Sequence, residues 1–186
     1  MHVLAFSGSL RRDSYNTKLV RAAARLLPEG IELELWERLK EIPPYDEDDD
    51  VEPAPAAVAA LRAAIAGADA LLFATPEYNS SIPGQLKNAL DWISRPLAKN
   101  PLRGKPVAVV GASAGAFGAV WAQAELRKVL GAIGARVVDG EVAVGHAPPR
   151  FEGDELVDDD LREQLAEVVD ALVAETDGEA ASRVAA

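Results

Sequence analysis

The sequence predicts an α/β domain in which a parallel sheet is covered by helices on both faces, and three observations carry that prediction. Short apolar runs alternate with helix-period stretches from one end of the chain to the other. Most of those runs are continuously apolar, as strands buried on both faces are. The length, 186 residues with 49% apolar, suits one domain with a sizeable core. Five β–α units follow, which makes the domain doubly wound with five parallel strands.

His2-Val3-Leu4-Ala5-Phe6 is the first strand, and Tyr15 to Leu27 the first helix, stopped by Pro28-Glu29-Gly30. Ile31 to Trp36 alternates with period two and reads as an outer strand with one wetter face. Ala54 to Ala66 forms the second helix, with Gly67 as its cap. Asp69 to Ala74 is the third strand, Gly84 to Ile93 the third helix and Lys105 to Gly111 the fourth strand. Phe117 to Ile133 makes the fourth helix, with Gly134 past its end. Arg136 to Val138 with Val142 to Val144 gives a broken fifth strand, and Asp158 to Glu175 the last helix. Residues 37–55, rich in proline and holding the acidic run Asp46 to Asp50, read as a solvated loop, as do residues 145–154. Residues 1–175 thus form a single domain, and 176–186, small and polar, a flexible tail.

Composition excludes several functions. Nineteen basic against thirty acidic side chains leave a net charge of −11, which repels nucleic acid and anionic lipid. The absence of cysteine removes a thiol nucleophile, disulfides and Cys-ligated metal, and two histidines are too few for a His-rich metal site. No apolar run approaches the ~20 residues of a membrane span, and no signal peptide precedes the first strand, so a cytoplasmic protein is expected.

In a doubly wound sheet ligands sit beyond the carboxyl ends of the strands, where strand order reverses. With the order 2-1-3-4-5, the loops after strands one, three and four converge on one crevice. The first, Ser7 to Thr17, gathers the hydroxyls of Ser7, Ser9, Ser14 and Thr17, the Asn16 amide and the cations Arg11 and Arg12 before a helix N-terminus. Free N–H groups and the helix dipole favour an anion there, and arginine adds charge-assisted bonds. The plainer alternative makes Ser14 an N-cap and the arginines solvated surface. The loop has neither a Walker Gly-Lys-Ser/Thr nor a Gly-x-Gly-x-x-Gly pattern. The second loop, Thr75 to Gly84, delivers Glu77, Tyr78 and Asn79 into the crevice, with a flat phenol for stacking and backbone N–H groups for heterocycle carbonyls. The third, Gly111 to Gly118, is almost wholly small residues, either a plain turn or a close approach to a flat ligand. Together they suit a phosphate at one end and a planar, polar-edged ring at the other.

These residues resemble the NAD(P)H-dependent FMN reductase family of the flavodoxin-like fold. The matching motifs are Gly8-Ser9-Leu10-Arg11-x-x-Ser14-x-Asn16, then Thr75-Pro76-Glu77-Tyr78-Asn79-x-Ser81-x-Pro83-Gly84 running on to Leu86-Lys87-Asn88-Ala89-Leu90-Asp91-Trp92, then Ser113-x-Gly115-x-x-Gly118. They span roughly residues 1 to 145. The resemblance implies that Ser9, Arg11, Ser14, Tyr15 and Asn16 hold the FMN phosphate. It implies that Pro76, Glu77, Tyr78 and Asn79 line the ribityl chain and isoalloxazine, and that Ser113 and Gly115 close over the ring. It also implies a homodimer or homotetramer built through the helices after strands three and four. Ala119, where relatives often carry a second glycine, and Trp121 with Ala124, where some carry Arg and Tyr, depart from the pattern.

The reaction implied is hydride transfer from NADPH or NADH to FMN N5, then two-electron reduction of a small-molecule acceptor of quinone, azo or flavin type, with no catalytic protein nucleophile. The rival is an FMN electron carrier that docks to protein partners without turning over NAD(P)H. No arginine cluster for a 2′-phosphate stands out beyond Arg11, Arg12 and Arg95. His146, alone in a Pro-rich loop, reads as structural or exposed, and Trp92 and Trp121 as core or subunit interface.

Overall fold

The computed structural model describes residues 1–184, with side chains through Thr176. Strands β1 (His2–Ser7), β2 (Glu32–Leu35), β3 (Ala70–Thr75) and β4 (Pro106–Ala112) pair in parallel in the order β2-β1-β3-β4. The fifth position is split, as its sequence predicts. β5 (Arg136–Val137) pairs with Pro106 and Val107 at the start of β4, and β6 (Ala143–Val144) with Gly111 and Ala112 at its end. The resulting order, 2-1-3-4-5, is the flavodoxin-like doubly wound arrangement.

Helix α1 (Tyr15–Ala24) and helix α5 (Asp159–Val184) cover one face of the sheet, and α2 (Ala56–Gly67), α3 (Gly84–Ile93) and α4 (Val120–Ile133) the other. Period-two alternation sorts the strand residues between them. Leu4, Phe6, Leu71, Phe73, Val107 and Val109 pack under α2–α4, with the Phe6 and Phe73 rings stacked at 4.8 Å. Val3, Ala5, Leu72, Ala108 and Val110 pack against Leu19 and Val20 of α1 and Leu165, Val168 and Leu172 of α5.

The outer strand β2 keeps Glu32 and Glu34 exposed, and Glu34 lies 3.3 Å from His2 Nε2. On the opposite margin, the Arg127 guanidinium of α4 donates to the carbonyls of Val109, Val138 and Gly140, taking up acceptors that the split strand leaves free. Burial lowers the Arg127 pKa from its ordinary value.

Several boundaries differ from the sequence reading. The first helix stops at Ala24, with Arg25 as its cap and a tight turn through Leu26, and the fourth starts at Val120 because Ala119 adopts a left-handed φ of 65°. Gly67 is the last residue of α2 and Ala68 its cap, whereas Gly134, with φ of 102°, does cap α4.

Residues 37–55 are not a freely solvated loop. The segment holds two 3₁₀ turns, Leu39–Glu41 and Glu47–Asp49; the first buries Leu39, and Ile42 is buried behind it. α3 then binds the segment's backbone: Gln85 Nε2 donates to the carbonyls of Leu39 and Ile42, and Asn88 Nδ2 and Trp92 Nε1 to that of Pro43. The acidic run is itself exposed from Asp46 to Asp49, while Asp50 pairs with Arg62 at 2.9 Å. Residues 145–154 carry a second correction. They hold a 3₁₀ turn, Pro148–Arg150, and open a small antiparallel hairpin, β7 (Phe151–Glu152) with β8 (Glu155–Leu156). The last helix continues nine residues past Glu175, to Val184. The side chains of residues 177–186, most of the expected tail, lie outside the described residues.

Candidate functional site

The turn between β1 and α1 begins with Gly8, whose N–H donates to Ala74 O of β3 at 2.8 Å. A Cβ on Gly8 would lie 3.0 Å from Leu86 Cδ2 and 3.3 Å from Pro76 Cδ, so the turn runs directly against the loop that follows β3. Ser9 Oγ accepts the Arg11 N–H at 3.3 Å. Ser14 is the N-cap of α1, its buried hydroxyl accepting from Asn16 N and Thr17 N. Thr17 Oγ1 donates to Ser7 Oγ at 3.0 Å. The first turn of α1 contains no acidic residue, which keeps the positive end of its dipole uncompensated within the helix.

Arg11 is exposed and sits over the Tyr15 ring at 5.2 Å, while Tyr15 stacks on Phe151 of β7 at 5.8 Å. Lys18, at 2.9 Å, holds the Asp13 carboxyl below the usual carboxylate range, with the Arg11 charge adding to the effect. The one carboxylate in this turn is therefore engaged by a cation.

Asn16 is almost wholly buried, and its carboxamide bonds the backbone of Ala112 at both ends: Nδ2 donates to Ala112 O and Oδ1 accepts from Ala112 N, each at 2.9 Å. It thereby ties the first turn to the end of β4. One donor and one acceptor of this amide are committed to that tie.

The loop after β3 makes a hairpin-like corner. Tyr78 and Ser81 exchange backbone hydrogen bonds, and Asn79 and Ser80 between them have φ of 54° and 60°. That is the two-residue turn with both corners left-handed, which asparagine tolerates well. Tyr78 is 51% exposed, and Asn79 and Ser80 are also exposed at the tip. Pro76 is buried below them. Glu77 is used differently from its neighbours: its Oε2 accepts from Trp121 N at 3.1 Å and Ala122 N at 3.2 Å. A carboxylate thus caps the N-terminus of α4, where the dipole favours it. One turn further along α4, Glu125 Oε2 accepts from Ser81 Oγ at 2.5 Å and from Ile82 N. Two carboxylates therefore clasp this loop to α4.

The loop after β4 is fixed by close backbone packing. Ser113 Oγ accepts from Gly115 N at 3.1 Å, and residues 114–117 are exposed. Gly118 has φ of 58°, and a Cβ there would overlap the Ala143 backbone; one on Gly145 would overlap Ala116 O. Gln123 is fully buried behind the loop and donates to Gly118 O. His146 is exposed, with φ of 47°, and its N–H donates to Gly115 O while that of Ala147 donates to Ser113 O. Its backbone braces the loop.

The structure thus brings the predicted residues to one end of the sheet, with different commitments. Ser9, Arg11, Tyr15, Tyr78, Asn79, Ser113 and Gly115 line the surface of the three adjoining loops, whereas Ser14, Asn16, Pro76 and Glu77 are spent wholly or partly on holding those loops. Trp92 is core, while Trp121 is 49% exposed in edge contact with Phe117, itself 63% exposed. Glu125 and Gln123 escape sequence reasoning because each looks like an ordinary residue of an amphipathic helix. Their partners lie in other loops or behind them.

The family model for NADPH-dependent FMN reductases matches residues 1–149. An NAD(P)H-dependent FMN reductase of Pseudomonas aeruginosa is 45% identical over 172 residues, covering 91% of this chain and 92% of that protein. A 2-hydroxy-1,4-benzoquinone reductase from a Burkholderia species is 39% identical over 169 residues, 90% and 91% of the two chains. Among solved structures, FerB of Paracoccus denitrificans, a flavoenzyme NAD(P)H:(acceptor) oxidoreductase, superposes with a TM-score of 0.84 at 35% identity, covering 95% of this chain and 97% of its own.

Proposed function

This chain belongs to the NADPH-dependent FMN reductase family, and from that premise we propose that it is an FMN-containing NAD(P)H oxidoreductase acting on quinone-, azo- or flavin-type acceptors. The observation that carries this reading is the joining of the anion-suited turn before α1 to both other loops, through Gly8 to β3 and through Asn16 to β4. The residues fit FMN in kind. An uncompensated helix N-terminus with hydroxyls and Arg11 suits a phosphate, and a half-exposed phenol beside small-residue backbone suits a flat heterocycle.

On this reading Ser9, Arg11, Ser14, Tyr15 and Asn16 hold the phosphate end, Pro76, Glu77, Tyr78 and Asn79 the ribityl chain and ring, and Ser113 and Gly115 the far side of the ring. Bound there, FMN would supply two-electron redox chemistry between NADPH or NADH and the acceptor. Ser14 and Asn16 act partly through position, by presenting the α1 terminus and the end of β4 at a fixed spacing. Glu77 sets the Tyr78 corner against α4 and commits its own negative charge to helix N–H groups. Backbone N–H groups near Glu77 and Asn79 would stabilise negative charge on a ring held at this corner.

The exposed Phe117, in the loop just before α4, and Trp121 on α4 support assembly as a homodimer or homotetramer through α3 and α4. Among the described residues no helix is long and apolar enough to cross a membrane. Because its donor is an intracellular nucleotide, the proposal takes the cytoplasm as the compartment.

The test is anaerobic mixing of FMN-loaded protein with each coenzyme while flavin absorbance is followed. Bleaching, with colour restored by a quinone, is expected. Bound FMN that neither coenzyme reduces would replace the reductase with an electron carrier. Arg11→Ala is expected to weaken FMN binding by about 1.5–3 kcal/mol, roughly ten- to a hundredfold. Fluorescence titration with FMN measures it, and an unchanged affinity removes Arg11 from the site.

A further inference from the structure

Beside the phosphate-suited turn, on the β2 side of β1, lies a cleft of about 260 Å³. Its walls come from the turn (Ser9, Arg11, Arg12) and from the segment that leaves β2 (Trp36, Leu39, Lys40). None of the loops after β3 and β4 contributes to it. It is therefore a neighbour of the flavin site proposed above, sharing only one wall.

Charge singles this cleft out. The chain carries a net charge of −11, and carboxylates pair with most of its cations or its carbonyls take them up. Arg11, Arg12, Lys40, Lys99 and Lys128 are the side-chain cations that make neither a hydrogen bond nor an ion pair among the described residues, and the first three line this cleft. Arg21 also reaches it but is paired with Asp154, and Glu37 is the one carboxylate in the lining. With Arg11 assigned to the FMN phosphate, Arg12 and Lys40 remain as the unpaired cations of this cleft, and an anion bound between them compensates their charge. The remaining lining is apolar, from Leu10, Leu35, Trp36 and Leu39. The occupant that matches is an anionic group on a partly apolar body. The volume falls below the ~300–1,000 Å³ of sites that enclose a whole drug-sized ligand. It suits one end of an extended molecule.

We propose that this cleft receives the adenosine 2′-phosphate of NADPH, so that Arg12 and Lys40 make NADPH the preferred coenzyme over NADH. The inference rests on the reductase reading, which brings a nicotinamide dinucleotide to the adjoining crevice. The dinucleotide's distal end differs between the two coenzymes by that one phosphomonoester. A phosphate placed next to the flavin phosphate needs cations of its own, and Arg12 and Lys40 are separate from the residues assigned to FMN.

The experiment is calorimetric titration of the FMN-loaded protein with 2′,5′-ADP, with 5′-AMP and with inorganic phosphate. The parent protein is expected to bind 2′,5′-ADP at least about tenfold more tightly than 5′-AMP, as a charge-assisted phosphate contact implies. The double variant Arg12→Ala, Lys40→Ala is expected to bring the two ligands within about twofold while retaining FMN. Lys40→Gln alone gives an intermediate ratio and serves if the double variant does not fold. Equal binding of 2′,5′-ADP and 5′-AMP by the parent overturns the inference, as does a preference that survives the double variant. Inorganic phosphate that binds as tightly as 2′,5′-ADP reduces the cleft to a simple anion site and also overturns it. These titrations need no turnover. The flavin-bleaching experiment can therefore fail while they succeed, and the reverse.

Discussion

Between Ser7 and Thr17 the backbone is held by side chains, whereas between Ser113 and Ala119 it is held largely by their absence. In the first turn Ser14 caps α1, Thr17 bonds Ser7, and Asn16 reaches across to Ala112. In the loop after β4, Gly118 and Gly145 let two stretches of backbone touch where any Cβ would collide. Both loops face the same crevice. Polar ties can be weakened one bond at a time, while a close backbone approach fails as a unit. The first kind of loop grades its response to substitution and the second does not.

The sharpest way to break that comparison is Gly118→Ala. It places an L side chain at φ of 58° and drives a Cβ into Ala143. The left-handed backbone and the overlap together are expected to cost about 2–5 kcal/mol, read as a lowered urea midpoint together with loss of FMN affinity. A stable variant with normal affinity would mean the loop has slack. Next in size is Asn16→Ala, which removes both side-chain hydrogen bonds to the buried Ala112 backbone. A loss of about 2–4 kcal/mol is expected by urea unfolding, with weaker FMN binding than the stability change alone explains. Smallest, and most informative about grading, is the pair Ser14→Ala and Ser14→Gly. The alanine variant should lose about 1 kcal/mol and the glycine variant only a few tenths, measured by thermal unfolding. Equal losses would show that the Ser14 hydroxyl does something beyond capping.

The sheet was legible in the sequence because each central strand is a continuous apolar run between turn residues, and strands of that kind need helices on both sides. What escaped was long-range. Residues 37–55 look like a loop by proline and charge, yet Leu39 and Ile42 are buried because Gln85 and Asn88, more than forty residues away, bond the backbone around them. Glu152-Gly153-Asp154-Glu155 did carry a local signal, a two-residue Gly-Asp turn between short apolar ends, and it forms the β7–β8 hairpin. At the crevice the residue types were visible but their commitments were not. Asn16 stood out as a donor, while its partner lies 96 residues further on. Lys40 had no distinguishing context until the fold set the segment after β2 beside the turn before α1.

The two margins of the sheet limit how copies of this chain can meet. A free strand edge is a template onto which another chain can add without limit, as in aggregates. Here one edge is studded with the outward carboxylates of Glu32 and Glu34, and the other is reduced to two-residue pieces whose spare acceptors Arg127 occupies. Charge guards the first edge and the second lacks a continuous row of strand backbone, so open-ended polymerisation along the sheet is disfavoured at both ends. Association is left to helix surfaces, where a symmetric contact closes on itself and stops at a fixed number of copies.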